Sequence, residues 1–493
     1  MQLLVYRQYT YETQHPPVAR VMASLPLYLR GIRYAEKDDR WHAGDEILKS
    51  GDYRSNLALA RLGVLPFFVI TCAFVYAWTR RIAGDAVAFL AVLIFSTIPP
   101  VLAHAGLATT DMAATAAVTG ASFMFLVWRE HPSLGRSFGL GAILGVALLT
   151  KYSVWGFVFA SFLIVWILSP RPGRKISPQA IVAVLLTTFV VMWACFGFTS
   201  SSVLEGDPMS AAKLAPALAR IAGTRLPLGQ VPAGLAQVAR HLSAGQPSYF
   251  MGEVHSQGSY LFFPTAFLLK TPIPVLILLL AGAFALVTSY RQKHRVTPAW
   301  IPVLLGAAIL LICIPSRLNL GLRHMLPIYP MVAITSALGG MYLLERKVRL
   351  QLNVWLVLGL LALQLAGAWA AHPNYLRYFN ALAGNEPERL IVDSDFDWGQ
   401  DTGKLAEYCR EHGVKRISVA LLGHPDYATL GMPETQELPP FQRISGTIAI
   451  GESRFREGTA SLSDMPDRGA YSWLMSYQPV AVINRTIRVY EIP

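Results

Sequence analysis

The stretch Leu107-Ala108-Thr109-Thr110-Asp111 decides how the rest of the chain is read. It is a short polar break between two apolar runs, residues 86–101 and 112–128, and it sets a carboxylate where a membrane-length helix meets water. An ionisable group at the edge of a bilayer is costly and marks a candidate functional site. The same residues also spell a helix start, with Asp111 as N-cap or first-turn acid for the orphan N–H groups. Function is favoured because other unusual residues fall on the same side of the membrane.

With 53% hydrophobic and 15% charged residues and a mean hydropathy of +0.41, the chain is an integral membrane protein with a soluble portion. A net charge of +12 would suit a nucleic-acid binder. However, many of the basic residues sit in short loops between apolar runs, which points to topology and anionic lipid instead. No nucleic-acid partner is expected. Cys72, Cys195 and Cys313 lie in apolar runs and Cys409 stands alone, so there is no disulfide framework and no Cys-type metal site.

The polar segment 1–56 carries Arg7, Arg20, Arg30, Arg33, Lys37, Arg40, Lys49 and Arg54. Within it, residues 18–29 are apolar but interrupted by Arg20 and Pro26, which suits a helix lying in the interface. Ten candidate spans follow: 59–78, 86–101, 112–128, 138–150, 153–168, 180–198, 261–289, 300–314, 325–344 and 354–371. One set of alternate loops holds Arg80/Arg81, Arg129/Arg136, Arg171/Arg174/Lys175, Arg291/Lys293/Arg295 and Arg346/Lys347/Arg349, and is assigned to the cytoplasm. The opposite short loops hold only Lys151 and the pair Arg317/Arg323. That puts Asp111, Lys151, the loop 199–260, the loop 317–324 and the tail from His372 outside. It also puts residues 1–56 outside with nothing to translocate them, so a membrane helix is expected upstream of Met1. In the tail, residues 402–412 read as a helix, and 416–422, 447–450 and 487–490 as strands.

Several motifs can carry chemistry. His15-Pro16-Pro17 fixes two φ angles before the interfacial helix; it is either a rigid helix entry or a mount for an imidazole facing an anion. Lys151, followed by Tyr152, either snorkels to the interface or holds a phosphate as a point charge. Lys270-Thr271-Pro272-Ile273-Pro274 follows Tyr260-Leu261-Phe262-Phe263-Pro264, aromatics suited to an interfacial belt, and its prolines suit the start of a span near Ile273. Lys270 is then an anchor or a phosphate ligand. Arg317, Arg323 and His324 in Arg317-Leu318-Asn319-Leu320-Gly321-Leu322-Arg323-His324 need an anionic partner, either internal carboxylates or a bound phosphate. Asp393-Ser394-Asp395-Phe396-Asp397-Trp398-Gly399-Gln400-Asp401 is not a calcium loop, since Trp398 takes the position that needs glycine and Lys404 the position of the closing Glu. It is either a solvated acidic turn or, through Asp397, Trp398, Gln400 and Asp401, a sugar or headgroup surface. Carboxylates, cations and aromatics at the end of greasy helices suit a lipid-linked phosphate donor: the phosphate meets Lys or Arg and a carboxylate deprotonates an incoming hydroxyl.

The chain resembles the C-type (GT-C) glycosyltransferase superfamily, in particular bacterial relatives of the protein O-mannosyltransferases and the aminoarabinose–lipid A transferases. The matching pieces are Gln14-His15-Pro16-Pro17-Val18-Ala19, the 107–111 stretch, Leu148-Leu149-Thr150-Lys151-Tyr152-Ser153 and the 260–274 stretch. They continue with Asn319-Leu320-Gly321-Leu322-Arg323-His324-Met325-Leu326-Pro327, Tyr378-Phe379-Asn380 and the 393–401 block. The resemblance implies an enzyme that moves a sugar from a polyprenyl-phosphate carrier to a hydroxyl acceptor, without a nucleotide sugar, at a site facing the periplasm or exterior of the cell (inner) membrane. Some members use a divalent cation, so one is a candidate cofactor with no ligands assigned. The family's first-loop Asp-Glu pair precedes the His-Pro-Pro element, and Met1 lies too close to His15 for it to fit. Glu12 or Asp111 is then left to act as base.

The expected architecture is an all-α polytopic membrane protein, a GT-C-like helical bundle, with a small C-terminal extracytoplasmic α/β domain. Its parts are residues 1–57 (loop and interfacial helix), 58–371 (membrane domain) and 372–493 (tail). Asp111, His15 and Glu12 are the candidate catalytic residues. Lys151, Tyr152, Lys270, Arg317, Arg323, His324, Asp397, Trp398, Gln400 and Asp401 are the candidates for binding donor and acceptor, the latter a protein, lipid or glycan. The competing class is a transporter or flippase of a lipid-linked sugar, which calls for inverted repeats and broken helices.

Overall fold

The computed structural model describes residues 1–493 except 36–39, 170–174, 207–221, 347–349, 424–425, 461 and 464–467. Lys37, Arg171, Arg174, Lys347, Arg349 and part of the outer loop therefore lie outside the described residues. The chain divides into two compact units. The first is Met1–His241, Thr271–Cys313 and His324–His372; the second is Leu242–Lys270, Ile314–Arg323 and Pro373–Pro493.

In the first unit, six helices are long and apolar enough to cross a membrane: Tyr53–Ala83, Asp111–Glu130, Pro178–Cys195, Ile273–Lys293, Ile328–Glu345 and Gln351–Ala371. A further pair, Asp85–Ser96 and Pro99–Ala105, is bent by 71°. The bend follows from Pro99-Pro100, which supply no N–H to the preceding turn. Leu134–Leu148, Ser153–Leu168 and Trp300–Cys313 are shorter apolar helices. Each of the ten apolar runs thus contains helix, and the protein is a multi-pass membrane protein. The run 261–289 is two helices, Phe262–Lys270 and Ile273–Lys293. They part at Thr271-Pro272, where the residue before proline is driven out of the helical region.

Asp111–Glu130 is the hub, with 83% of its apolar window buried against 17–33% for the peripheral spans. Its sequence is rich in Ala, Gly, Ser and Thr, which lets neighbouring backbones approach. The hydroxyls are satisfied without water: Thr115 and Thr119 donate to the carbonyls four residues back, and Ser161 donates to Ser122 Oγ at 2.6 Å. The helix Pro17–Leu29, with Pro26 inside it, replaces the expected interfacial segment almost residue for residue and packs on Tyr53–Ala83.

The second unit is built on a five-stranded sheet in the order Glu434–Glu437, Arg416–Ala420, Gly446–Gly451, Ile487–Ile492, Ala481–Ile483. The first two pairings are parallel and the last two antiparallel. Alternation of side chains sorts the two faces. Ile417, Val419, Ala449, Ile487 and Val489 pack under the helix Thr402–Glu411 through Leu405, Ala406 and Cys409. Ile448, Ile450, Tyr490 and Ile492 pack on the other side against Phe455 and Leu474. This is the small C-terminal α/β part that the sequence predicted.

Candidate active site

In the first unit, Thr110 takes the N-cap position and Asp111 is the first residue of the hub helix, without a side-chain cap. Its carboxylate points to Lys151, whose Nζ donates to Oδ1 at 2.7 Å. Asp111 is 1% exposed and the Lys151 side chain 13%. Lys151 reaches it because Leu134–Leu148 ends three residues earlier and Ser153–Leu168 begins two later, so the ammonium is borne on a tight turn instead of a lipid-facing helix. Lys151 is thus a largely buried partner for the hub carboxylate.

The His-Pro-Pro segment lies on the same unit. Glu12 forms an ion pair with Arg20, the basic residue that interrupts the apolar helix Pro17–Leu29. His15 Nε2 lies 3.8 Å from Glu12 Oε1. Burial pushes the His15 imidazole down to about 4, with Arg20 and Lys151 adding to the fall and Glu12 and Asp111 opposing it. The ring is therefore neutral at pH 7. Tyr9 donates to the His15 carbonyl at 2.5 Å, and burial pushes its phenol up to about 12. Val18 N–H bonds the Leu149 carbonyl at 3.1 Å, tying the segment to the turn that carries Lys151. A cleft of about 240 Å³ is lined by Tyr9, Tyr11, Glu12, Arg20 and Ala108, among others, so Ala108 of the 107–111 stretch borders the same cleft as Glu12. Tyr152 is buried, and its phenol is raised by that burial. His324 is half-buried in this unit.

The second unit gathers the remaining motif residues. Both Asp395 carboxylate oxygens accept from Leu322 N–H at 2.9 Å, and Ser394 Oγ donates to the Leu320 carbonyl at 2.7 Å. Gly321 sits at φ +89°, and a Cβ there would stand 2.6 Å from Ser394 Oγ, so glycine is what lets the two motif blocks touch. Arg323 donates to the Leu320 carbonyl, and its guanidinium lies 4.7 Å from the Trp398 ring centre. Arg317 is exposed and donates to the Ser243 carbonyl at 3.1 Å. Among the described residues neither arginine is in an ion pair, though the Arg323 charge acts on the buried Asp395 carboxyl.

Lys270 is fully buried. Its ammonium donates to the carbonyls of Leu376 and Asp395 at 2.6 and 2.5 Å and lies 4.2 Å from the Phe379 ring centre. Burial pushes it down to about 8 against the pull of Asp395, and burial raises the Asp395 carboxyl in turn. Asn380 donates to the Leu268 carbonyl, satisfying the end of Phe262–Lys270. The acidic block is not a solvated turn. Asp397 and Asp401 are each 2% exposed. Asp397 accepts from Gly399 N–H, Asp401 accepts from Asn484 and Thr486, and Gln400 closes the turn through Trp398 N–H and the Phe396 carbonyl.

Sequence reasoning missed Arg20 and Tyr9 as parts of the site. The signal for Arg20 was present, a lone cation on an otherwise apolar helix face. Among the described residues no group of three or more His, Cys, Asp and Glu is placed to hold a metal ion.

Fold and site define a polytopic membrane protein with a mixed-sheet α/β part and a buried carboxylate–ammonium pair at one end of its bundle. Residues 54–194 match the family described as dolichyl-phosphate-mannose-protein mannosyltransferase. The matched stretch includes both Asp111 and Lys151 and agrees with the resemblance drawn from the motifs. No curated protein matches the chain. Among solved structures, ArnT from Cupriavidus metallidurans bound to undecaprenyl phosphate is 14% identical, over 97% of this chain and 88% of that one, with a TM-score of 0.44. The Archaeoglobus fulgidus oligosaccharyltransferase in complex with Zn and sulfate is 10% identical, over 90% of this chain and 60% of that one, with a TM-score of 0.42.

Proposed function

We propose that the protein is a membrane glycosyltransferase that moves a sugar from a polyprenyl-phosphate carrier to a hydroxyl of a protein, lipid or glycan on the outer face of the membrane. The observation that carries the reading is the buried Asp111–Lys151 pair on the same unit as the cleft lined by Glu12, Arg20 and Ala108. The family match over residues 54–194 supports it.

In the reaction, the bond between the sugar's anomeric carbon and the phosphate oxygen breaks, and a bond from that carbon to the acceptor oxygen forms. The acceptor proton passes to a carboxylate, and the carrier leaves as its phosphate monoester. Lys151 spends one N–H on Asp111 and has others to offer a phosphate, whose developing charge a preset cation stabilises best in a water-poor site. Asp111 is assigned to the acceptor hydroxyl, and Glu12, which lines the cleft, is the second candidate base. Neutral His15 contributes a hydrogen bond and no charge. Because Lys270 is committed to carbonyls of its own unit, the phosphate role is assigned to Lys151. In the second unit, Arg323 over Trp398 is the surface assigned to a sugar or headgroup.

A flippase is the second reading, and the 71° break between Asp85–Ser96 and Pro99–Ala105 is the observation that favours it. Reconstitution with a short-chain polyprenyl-phosphate sugar separates the two. Transfer releases polyprenyl phosphate and a glycosylated acceptor, whereas a flippase moves the donor across intact.

A further inference from the structure

A second cleft in the first unit lies away from Asp111. Asp111 and Glu130 are the first and last of the 20 residues of one helix, and at 1.5 Å per residue they stand roughly 28 Å apart. A cleft of about 1130 Å³ opens at the Glu130 end. It lies between the ends of Tyr53–Ala83 and Asp111–Glu130 on one side and of Ile273–Lys293 and Ile328–Glu345 on the other. Most drug-sized pockets are about 300–1,000 Å³, so this one has room for a headgroup and the upper part of two chains.

The cleft begins where a tight helix crossing ends. A Cβ on Gly282 would run into the Thr335 carbonyl and one on Gly339 into the Leu278 carbonyl, so glycine alone permits that approach. Past it, Leu126, Leu286, Leu338 and Met341 form apolar walls, and the charged lining is Arg81, Lys293 and Arg346 with Glu130 and Glu345, cations in the majority. Arg81 is paired with Glu130. Arg346 donates to Tyr342 Oη and lies 4.9 Å from that ring's centre. Lys293, the last residue of its helix, makes no hydrogen bond or ion pair among the described residues. It also stands at the negative end of that helix's dipole.

We propose that this cleft is a binding site for an anionic phospholipid, its phosphate gripped by Lys293 and Arg346 and its acyl chains laid along Leu286, Leu338 and Met341. Charge complementarity selects the occupant: this is the end of the bundle where the short basic loops gather, and basic pockets between membrane helices hold acidic headgroups. The apolar walls call for a lipid over a free anion. None of the residues assigned to glycosyl transfer is used.

Native mass spectrometry of the full chain in detergent, with phosphatidylglycerol and phosphatidylcholine added at equal concentration, tests the site. Wild type is expected to retain phosphatidylglycerol preferentially. Lys293→Gln should lower retention about fivefold, and K293Q/R346Q about thirtyfold, from the usual worth of one basic residue near an anionic lipid. Both side chains are exposed, so the fold should hold, and the wild-type lipid preference needs no variant at all. Equal retention of the two lipids, or an unchanged double variant, would overturn the assignment. Displacement of the lipid by millimolar inorganic phosphate would overturn it too, in favour of a free-anion site.

Discussion

Lys151 Nζ stands 2.7 Å from Asp111 Oδ1, forty positions away in the chain, and the carboxylate is 1% exposed. Breaking a buried pair from one side strands the other charge, which typically costs about 3–5 kcal/mol. Lys151→Met should therefore lower the unfolding free energy by about that amount. Asp111→Asn combined with Lys151→Met should recover most of the loss. Denaturation of the four members of this double-mutant cycle measures it, and strictly additive losses would show that the two groups do not depend on each other.

His15 titrates near 4 in the fold because burial disfavours the imidazolium, below its unfolded value of about 6.5. The unfolded chain thus binds the extra proton between these values, and stability rises with pH across that window. The contribution is fully present above about 6.5 and is lost as pH falls toward 4, weakened by the solvent that reaches this half-buried ring. Comparing wild type with His15→Gln by denaturation at several pH values should show a flatter profile for the variant between those limits. Parallel profiles would contradict it.

Gly321→Ala should destabilise the second unit by about 1–3 kcal/mol, because a left-handed backbone is strained for alanine and its Cβ would meet Ser394 Oγ. Limited proteolysis should cut the variant faster within 314–323 and 393–401, the two segments that Gly321 lets touch. Equal protection would mean the contact between them is dispensable.

Lys270→Met keeps the apolar stem and removes the donor that two buried carbonyls share. Unsatisfied buried acceptors cost about 1–3 kcal/mol, so the second unit should melt earlier by tryptophan fluorescence. A variant as stable as wild type, with a weakened affinity for donor, would return Lys270 to the phosphate-binding role.

The contrast between Asp111 and the 393–401 block shows what was legible in the sequence. Asp111 stood out because a carboxylate interrupts apolar runs whose period and length already imply membrane helices. Lys151 stood out as a lone cation in a short turn. That they pair was not legible, since forty intervening residues carry no local signal of the contact. Asp395, Asp397 and Asp401 suggested a solvated or ligand-facing surface because charge alone predicts exposure. Their partners are the backbone of Leu322 and Gly399 and the side chains of Asn484 and Thr486, groups that only the tertiary fold brings near. The helices and three of the five strands of the tail sheet were legible, whereas Glu434–Glu437 and Ala481–Ile483 were not; the prolines after Lys270 marked the span start near Ile273.

The most direct test is the rate of sugar transfer from a polyprenyl-phosphate donor by the reconstituted protein and its Asp111→Asn variant. Asparagine keeps an oxygen for Lys151 but cannot take a proton, so transfer by the folded variant should fall by about 10²–10⁴-fold, the usual worth of a positioned acid or base, at temperatures below its lowered melting point. Wild-type turnover by the folded variant would contradict the assignment of Asp111 to the reacting hydroxyl.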